Sequence, residues 1–285
     1  MKVLMTGSHG FVGTNLIEAL AGEFEIIRWD ARVDRELPDV DAVIHLAGLA
    51  HDTKYVIAAD NYFNVNTVLS KNIYDRFLES KAKKFIFFSS IKAQDNDTPY
   101  AQSKKKAEDY IIKNEDHRID RNKDVYILRP CMMHGKGNKG NLNLLYKVVR
   151  LGLPWPLAAF ENQRSFASMG NVSFIVNGLL RNDIDSGIYN ICDDETVSTN
   201  ELIRIICGCL GKKARLWRIP RGIMTGLAKI GDLCHLPINS ERLDKLTENY
   251  IVDNSDIKRA LGIDHMPVMA KDGLKATIKE MMKNE

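Results

Sequence analysis

Tyr100 and Lys104 stand four residues apart in the segment PYAQSKKKAE, and this pair is the clearest candidate for chemistry in the sequence. Residues at positions i and i+4 lie on one face of a helix, where their side chains can interact. A neighbouring ammonium favours the charged form of a phenol and lowers its pKa from about 10. The pair therefore predicts a tyrosine that acts as a general base near neutral pH.

A glycine-rich turn follows the first predicted strand and opens the first predicted helix. Its glycines are Gly7, Gly10 and Gly13 in TGSHGFVG, with Phe11 and Val12 at the start of the helix. Glycine permits a tight turn, lets the backbone approach a pyrophosphate and lets the helix pack closely on the strand, while the helix N-terminus offers N–H groups to the anion. The turn predicts dinucleotide binding, with these five residues beside the cofactor.

The choice between NAD and NADP depends on the surroundings of Asp30, which ends the second predicted strand. A carboxylate there accepts hydrogen bonds from the adenosine ribose and repels a 2′-phosphate, which favours NAD. Arg28 and Arg32 suit such a phosphate and favour NADP, although strand alternation also places Arg28 on the face of Asp30, where it would neutralise the carboxylate. We expect NAD, with NADP as the alternative.

The composition is that of a globular protein, with 45% apolar residues, 27% charged residues and a formal net charge of +3. Because the charge is evenly spread apart from the run Lys104–Lys106, it predicts neither nucleic acid nor a membrane as partner. Five scattered cysteines without a C-x-x-C pair indicate reduced thiols, and no metal site is expected. No signal-like segment and no apolar run of about 18 residues is present, so we expect a soluble, cytoplasmic protein.

Short apolar runs alternate with amphipathic stretches over the first 130 residues. The predicted strands are 2–5, 25–28, 42–45, 84–88 and 125–128, and the predicted helices lie near 11–22, 62–80 and 100–114. This alternation predicts an α/β fold with a doubly wound parallel (Rossmann) sheet. We expect a dinucleotide-binding domain over residues 1–130, with a returning segment near 168–192. A smaller, partly interleaved C-terminal substrate lobe is expected over 131–167 and 193–285.

The motifs TGSHGFVG, VIHLAG, FNVN, SS and YAQSK occur in this order. Together they resemble the extended short-chain dehydrogenase/reductase family of nucleotide-sugar epimerases, dehydratases and reductases. The resemblance runs nearly end to end. In the second half, RPCMMHGKGNKGN, ENQRS and YIVDNSDIKRALG are most similar to the subgroup that acts at C4 of UDP-linked 2-acetamido sugars, as 4-epimerases or 4-keto reductases.

The resemblance implies a role for each residue of the reacting site. Tyr100 would exchange a proton with a sugar oxygen while hydride moves to or from the nicotinamide, and Lys104 would favour the phenolate and hold the nicotinamide ribose. Ser90 would donate to and accept from the reacting oxygen, whereas Ser89 is expected to bond to nearby backbone. Asn66 in FNVN would order the backbone beside the site through buried hydrogen bonds.

The HLAG segment is expected beside the cofactor at a strand end. Leu46, Ala47 and Gly48 lie there, and Ala47 and Gly48 offer little bulk where the cofactor must pass. His51, just beyond, either lines the sugar pocket or is an exposed loop histidine.

The resemblance implies a nucleotide-sugar substrate whose diphosphate is held by Arg164 in ENQRS, since a guanidinium matches phosphate oxygens. Asn141 and the lysines Lys136 and Lys139 are candidate helpers, and a solvated polar turn is the alternative for the lysines. His134 stands where the family often has tyrosine, so the pocket chemistry is expected to differ there.

Three departures from the family pattern bear on function. Dehydratases carry Asp-Glu directly after the active-site Ser or Thr, whereas this chain has Ile91 and Lys92, which disfavours 4,6-dehydration. The link between Ser90 and Tyr100 is shorter than in relatives. The segment between Asp30 and Asp41 leaves little room for a full third strand.

The sequence thus predicts an NAD-dependent 4-epimerase of a UDP-hexose or UDP-N-acetylhexosamine. An NAD(P)H-dependent 4-keto-sugar-nucleotide reductase is the first alternative, since it would use the same residues. A non-catalytic dinucleotide-binding sensor is the second, although a binder needs none of the proton chemistry of Tyr100. The resemblance also implies a homodimer, because many relatives pair the helices near 62–80 and 100–114 across subunits.

Overall fold

A computed structural model describes residues 1–33, 35–50, 57–115, 122–138, 140–234 and 239–283. The chain forms two compact units. The first, here called the sheet unit, comprises Met1–Cys131, Met169–Cys192 and Asp253–Pro267. The second, the lobe unit, comprises Met132–Ser168, Asp193–Val252 and Val268–Glu285.

The strands in the described residues are β1 Lys2–Thr6, β2 Glu25–Trp29, β3 Ala42–His45, β4 Lys84–Phe88, β5 Asp124–Pro130, β6 Met132–His134, β7 Phe166–Ser168 and β8 Gly187–Ile191. Six of them form one parallel sheet in the order β2-β1-β3-β4-β5-β8. This order confirms the doubly wound α/β fold. The sheet has no strand beyond β2 in the described part of the chain, in agreement with the short segment between Asp30 and Asp41.

The helices in the described residues are α1 Phe11–Leu20, α2 Ala59–Tyr62, α3 Leu69–Glu79, α4 Pro99–Glu115, α5 Asn141–Arg150, α6 Met169–Arg181, α7 Thr199–Cys209, α8 Arg221–Cys234, α9 Ser240–Thr247, α10 Ser255–Leu261 and α11 Ala270–Lys283. A π-helical turn, Phe63–Val68, joins α2 to α3, and a 3₁₀ turn, Ile91–Gln94, follows β4. Within the described ranges, no helix is both long and apolar enough to cross a bilayer.

The core of the sheet unit fixes the carboxyl ends of β1, β3 and β4 along one edge. The side chains of Phe77, Phe85 and Phe87 are fully buried between α3 and the sheet. Burying an aromatic side chain of this size stabilises the fold by roughly 1.5–3 kcal/mol. The parallel register then pairs Thr6 with His45, so polar side chains from separate strands meet at this edge.

The segment 253–267 differs from the expected domain division, because it belongs to the sheet unit rather than the lobe. Its helix α10 places Ile257 in full burial. Leu261 packs directly on Gly178 of α6: a Cβ added to Gly178 would lie 2.4 Å from Cδ2 of Leu261. This segment packs closely against α6 and therefore belongs to the sheet unit. Because α6 is distant in sequence, the order of the motifs along the chain did not predict this contact.

The lobe unit has its own apolar core, built mainly from α5, α7 and α11. Tyr146, Ile206 and Ile278 are among its buried residues. Ser198 caps α7 by accepting a hydrogen bond from the Glu201 backbone N–H at 3.0 Å. The short parallel pair of β6 and β7 completes this unit.

Candidate active site

Two glycines of the turn after β1 are required by close backbone contacts. Gly7 has φ +65°, and a Cβ there would lie 2.7 Å from the backbone nitrogen of Ala47. A Cβ at Gly13 would lie 2.5 Å from the carbonyl oxygen of Gly7 and 2.7 Å from Cα of Ser8. At Gly10, by contrast, a Cβ would meet only the Gly7 oxygen, at 3.3 Å. The turn is therefore tightly packed at Gly7 and Gly13 but leaves space at Gly10, where α1 begins.

Asp30 is held by Arg32. The Arg32 guanidinium donates from Nε and Nη2 to the two carboxylate oxygens at 2.9 and 2.8 Å, and its backbone N–H adds a third bond at 3.1 Å. These bonds lower the pKa of Asp30 to about 2. The arginine that neutralises this carboxylate is thus Arg32, whereas strand alternation pointed to Arg28. The pairing forms because Asp30 stands at the strand end, where the chain turns back on it.

A chain of buried hydrogen bonds crosses the edge of the sheet from β1 to α3. The Thr6 hydroxyl accepts from the backbone N–H groups of Leu46 and Ala47 at 3.2 and 3.1 Å, so its own hydrogen donates to His45 Nδ1 at 2.7 Å. Nε2 of His45 then donates to the Ser70 hydroxyl at 3.0 Å, which donates to the Asn66 carbonyl oxygen at 2.7 Å. Burial and the charge of Lys104 lower the pKa of His45 to about 3. His45 is therefore a neutral link.

Asn66 forms hydrogen bonds both with Leu49, directly after the HLAG segment, and with α4. Its Oδ1 accepts from the Leu49 backbone N–H at 2.7 Å, and its Nδ2 donates to the Leu49 oxygen at 3.2 Å and to the Ser103 hydroxyl at 3.0 Å. Asn66 lies in the π-helical turn between α2 and α3, a local widening that often accompanies functional sites. The buried ordering role expected for Asn66 is consistent with these bonds.

Tyr100 and Ser90 are brought together at the start of α4. A hydrogen bond joins their side chains, and the ring of Tyr62 meets that of Tyr100 edge-on with centroids 5.9 Å apart. Ser90 also caps the 3₁₀ turn by accepting from the Lys92 backbone N–H at 3.3 Å. The short link between Ser90 and Tyr100 is thus a compact turn that still places both hydroxyls in contact.

The prediction that Lys104 lowers the pKa of Tyr100 is wrong for the structure as described. Burial raises the pKa of Tyr100, the bond from Ser90 lowers it, and the neighbouring Tyr62 raises it further. Lys104 is not among the groups that shift it. The ammonium is turned towards β4, where it donates to the Phe88 carbonyl oxygen at 2.8 Å. Sharing a helix face brought the two residues near each other but did not direct the ammonium at the phenol.

Lys104 is itself nearly buried, and burial lowers its pKa to about 8 against the opposing charge of Glu108. Glu108 is held in a two-pronged ion pair by Arg129, at 2.9 and 2.5 Å. A Cβ added to Gly48 would lie 3.3 Å from Lys104 Nζ and 2.9 Å from Asn66 Oδ1. Gly48 therefore leaves the ammonium approachable at a point where any side chain would cover it.

The remaining residues of this edge are placed as follows. Leu46 and Ala47 are half-buried against the glycine turn, and Phe11 and Val12 are half-buried at the start of α1. The Ser89 backbone N–H donates to the Leu128 oxygen at 2.8 Å, but its buried hydroxyl has no hydrogen-bond partner among the described residues. Among the described residues, the Ser89 hydroxyl therefore does not make the local backbone bond expected of it.

The substrate candidates of the second half lie in the lobe unit or outside the described residues. Arg164 donates from Nη1 to the Lys245 oxygen at 3.1 Å, and its Nη2 lies 3.8 Å from a Glu248 carboxylate oxygen. Asn141 is the exposed first residue of α5, and Lys136 is exposed in the preceding loop. His51 and Lys139 lie outside the described residues.

His134 is buried in the lobe unit. Its Nδ1 lies 2.9 Å from the Thr277 hydroxyl, which donates to the Gly273 oxygen at 3.0 Å, so Nδ1 is the donor to Thr277. Its Nε2 faces a carboxylate oxygen of Asp193 at 3.6 Å. In this chain the histidine that replaces the expected tyrosine is part of a buried polar cluster.

A family model described as "NAD dependent epimerase/dehydratase family" matches residues 3–192, which span the whole glycine turn and the Ser90, Tyr100 and Lys104 site. The chain belongs to this family. It is therefore an enzyme of nucleotide-sugar epimerase or reductase chemistry with NAD as its cofactor.

Two curated relatives and one solved structure illustrate the similarity. The chain is 30% identical to a UDP-glucose 4-epimerase of Vibrio cholerae over 99% of this chain and 95% of the relative. It is 25% identical to an N-acetyl-alpha-D-glucosaminyl-diphospho-ditrans,octacis-undecaprenol 4-epimerase of Escherichia coli O157:H7, over 90% and 85% of the two chains. A UDP-glucuronic acid 4-epimerase from Bacillus cereus, solved with UDP-glucuronic acid and NAD, superposes with a TM-score of 0.75 at 18% identity and full coverage of both chains.

The family member described here fits NAD by its own geometry. Gly7 and Gly13 allow the close turn, Gly10 leaves space at the N-terminus of α1, and Gly48 leaves the Lys104 ammonium approachable. An ammonium has three hydrogens, of which the described contacts show one donated to the Phe88 oxygen. This set of close approaches and donors is what a dinucleotide lying along the sheet edge requires.

Sequence reasoning missed four residues that hold this site: Thr6, His45, Ser70 and Ser103. Thr6 and His45 follow apolar strand residues directly, which was a usable signal, since carboxyl ends of parallel strands share one edge. Ser70 stands four residues after Asn66 on a helix face, and Ser103 stands three after Tyr100. The spacings were visible, but which strand end faced which helix was not.

Proposed function

We propose that this family member is an NAD-dependent 4-epimerase of a UDP-hexose or UDP-N-acetylhexosamine. The observation that carries the proposal is the contact between the Tyr100 and Ser90 hydroxyls beside a buried Lys104. The residues after Ser90 support it as well. Ile91 is buried and cannot ionise, and Lys92 replaces an acid, so the site lacks the pair that removal of water would need.

NAD, when bound, supplies the acceptor and donor for the hydrogen at the sugar C4. Tyr100 removes the proton from the C4 hydroxyl and returns it after the 4-ketosugar has presented its other face. Ser90 bonds to the same sugar oxygen, since a hydroxyl can donate to a ketone and accept from an alcohol. Gly7, Gly10, Phe11, Val12 and Gly13 line the pyrophosphate side.

Other residues of the sheet edge position the cofactor. Lys104 donates to the nicotinamide ribose, and Asp30 with its Arg32 partner meets the adenosine ribose. Each carboxylate oxygen has two lone pairs, so Asp30 keeps acceptor capacity beside Arg32. Leu46, Ala47 and Gly48 border the path of the cofactor at the end of β3.

Proton transfer at neutral pH depends on how far the surroundings favour the phenolate of Tyr100. Burial raises the pKa of Tyr100, and the bond from Ser90 offsets part of that rise. Lys104 keeps its proton at pH 7, because its pKa, although lowered, is about 8. The charge that Lys104 retains is directed at the Phe88 carbonyl oxygen, so it is available to hold the nicotinamide ribose rather than to shift the pKa of Tyr100.

Two of the curated relatives are 4-epimerases by name, and they differ in what carries the sugar. One acts on UDP-glucose, and the other acts on a sugar joined through a diphosphate to a polyprenol. A diphosphate is common to both carriers. We propose Arg164 as its binding residue, because burial lowers the pKa of the guanidinium, and the opposing groups, Glu248 at 3.8 Å and Tyr250, do not cancel that shift.

One observation favours 4-keto reduction as the second candidate. The raised pKa of Tyr100 keeps the phenol protonated, which suits a group that gives a proton to a ketone. A reductase would use the same residues in one direction only and would exchange its cofactor after each turnover.

The two candidates differ in the origin of the hydrogen at C4. The protein is incubated with UDP-glucose or UDP-N-acetylglucosamine, and separately with a UDP-4-keto sugar and NADH deuterated at the nicotinamide. An epimerase converts the first substrates to their C4 epimers without deuterium from added NADH. A reductase leaves them unchanged and places deuterium at C4 of the second product. No conversion of either substrate class, in protein shown to bind NAD, would contradict the proposal.

A further inference from the structure

Helix α8 of the lobe unit has an apolar face that no residue in the described ranges covers. Ile223, Leu227 and Ile230 are each at least half exposed, and Leu233 is 82% exposed. These residues are not part of the buried core of the lobe. On the other side of the helix, Met224 and Ala228 are buried in a cluster with Leu157 and Leu243. The exposed residues therefore form a second apolar face of the same helix.

The spacing of these residues makes the face continuous. Positions 223, 227 and 230 fall on one side of successive helical turns, and Leu233 extends the face towards the C-terminal end. A helix of this length spans roughly 20 Å, so the apolar stripe runs most of the way along it. Trp217, which is 56% exposed, stands shortly before the helix begins.

Positive charge is concentrated in α8 and in the segment that leads into it. The exposed cations of residues 211–234 are Lys212, Lys213, Arg215, Arg218, Arg221 and Lys229. The one acid in this segment is Asp232, whose carboxylate accepts from the backbone N–H and the hydroxyl of Ser240. Six cations and one acid give the segment +5, and since the chain totals +3, the rest of the protein carries −2.

We propose that helix α8 and the cationic segment before it form a docking surface for an anionic lipid bilayer. Apolar residues on one face, lysine and arginine around it and a nearby tryptophan are the features of helices that lie in the membrane interface. Each lysine or arginine near an anionic leaflet adds to the attraction. A second copy of this chain fits less well, because two segments of +5 repel each other.

This surface goes beyond the proposed function, since it states where the enzyme works and not which sugar it converts. It also differs from the expectation drawn from net charge, which pointed to no membrane partner. Six cations in 24 residues were hidden by the slightly acidic remainder of the chain. Docking of this kind needs no helix that crosses the bilayer.

The test is flotation of the full-length protein with vesicles of phosphatidylcholine alone or with added phosphatidylglycerol. We expect the protein to float with phosphatidylglycerol vesicles, to stay behind with phosphatidylcholine alone, and to be released by high salt because the charges are screened. Replacing Leu227→Glu and Ile230→Glu together is expected to weaken binding at least ~tenfold, because two charges would enter the apolar boundary.

Two further variants keep the result interpretable. Lys213→Glu with Arg218→Glu changes only exposed side chains and is expected to weaken binding about tenfold, with the helix face intact. Met269→Glu is the matched control, since Met269 is an exposed apolar residue outside α8 and should bind as the parent does. Circular dichroism verifies the fold of each variant.

Three results would overturn the proposal: equal flotation with both vesicle types, unchanged flotation of both α8 variants, or a dimer that dissociates in Leu227→Glu with Ile230→Glu while no vesicle binding occurs. The last result would assign the face to a second copy of the chain. The assay uses neither sugar nor turnover, so its failure is distinguishable from failure of the proposed epimerase activity.

Discussion

Two polar clusters, one around His45 in the sheet unit and one around His134 and Arg164 in the lobe unit, differ in the lengths of their contacts. In the sheet unit, His45 lies between the Thr6 and Ser70 hydroxyls at 2.7 and 3.0 Å, and the chain of bonds passes through neutral groups only. In the lobe unit, His134 Nε2 lies 3.6 Å from the Asp193 carboxylate, and Arg164 lies 3.8 Å from Glu248. The first arrangement consists of ordinary hydrogen bonds, and in the second the facing polar atoms lie beyond hydrogen-bond length.

The two kinds of contact suit different roles in the enzyme. Short bonds between neutral groups fix positions to within a few tenths of an ångström, which proton transfer needs. Charges held apart at longer distances can turn towards a ligand of opposite charge. We therefore expect substitutions in the sheet unit to lower kcat and substitutions around Arg164 to change KM.

The largest effect on kcat is expected for Tyr100→Phe. Removing the proton-transferring hydroxyl is expected to lower kcat about 10³-fold, while NAD binding changes less than about twofold. Turnover by product separation and NAD affinity by calorimetry measure the two effects. Tyr110→Phe on the same helix is the matched control, because its hydroxyl bonds to Asp75 away from Ser90. If Tyr100→Phe kept a tenth of the parent kcat, Tyr100 would not be the proton carrier.

His45→Leu tests the neutral network. The variant leaves the buried hydroxyl of Thr6 without an acceptor and that of Ser70 without a donor, and each unsatisfied group costs about 1–3 kcal/mol. We expect a loss of about 2–4 kcal/mol in the free energy of unfolding, measured with urea. Ser70→Ala should cost a similar amount, since it also leaves two groups, His45 Nε2–H and the Asn66 carbonyl oxygen, short of a partner. Equal stability of His45→Leu and the parent would show that the network does not fix this edge.

Much of the sheet unit could be predicted because its signals are local. The alternation of apolar and amphipathic segments indicated the strands, and the glycine spacing indicated the turn. The close contacts at Gly7 and Gly13 involve residues within one turn or one adjacent strand end. Tyr100 and Ser90 could be named because both lie in recognisable short motifs.

The wrong predictions concern side chains that have several possible partners within reach. Lys104 shares a helix face with Tyr100, but β4 offers the Phe88 carbonyl and burial dominates the pKa of the phenol. Arg32 rather than Arg28 reached Asp30, because the chain turns after the strand. The His45 network joins three separate elements, and segment 253–267 packs with residues distant in sequence. The spacing of residues along the sequence does not specify any of these contacts.

Gly13→Ala tests how closely the turn must pack. The new Cβ would lie 2.5 and 2.7 Å from backbone atoms of Gly7 and Ser8, which cannot move aside as a flexible side chain would. We expect a loss of about 1–3 kcal/mol in the free energy of unfolding, together with weaker NAD binding. Gly208→Ala in α7 is the control, since no atom lies within 4 Å of its Cβ position, and it should be neutral or slightly stabilising. Parent-like stability and NAD affinity in Gly13→Ala would contradict the close packing.

The lowered pKa of Lys104 predicts opposite effects of pH on activity and stability. Because this pKa is about 8 in the folded protein, kcat/KM is expected to fall about tenfold from pH 7 to pH 9 as the ammonium is lost. Between pH 8 and the unfolded value near 10.5, the unfolded state binds more protons, so the Lys104 contribution to stability rises with pH. Urea unfolding of the parent and of Lys104→Met isolates this contribution. A parent and variant with parallel stability curves across this range would contradict the burial of a titrating lysine.

The smallest expected effect lies in the lobe unit and has the opposite sign. Glu248 carries the negative charge nearest to Arg164, and the distance of 3.8 Å makes it a weak competitor for the guanidinium. Glu248→Gln removes that charge, so a diphosphate bound by Arg164 would face less competition. KM should fall about twofold with kcat unchanged, since exposed ion pairs are worth at most about 1 kcal/mol. In an Arg164→Lys background, which lacks the planar fork, the same substitution should have little further effect. An equal fall in KM with and without Arg164 would mean that Glu248 acts on the substrate directly. The pairing of Arg164 with Glu248 would then play no part in binding the diphosphate.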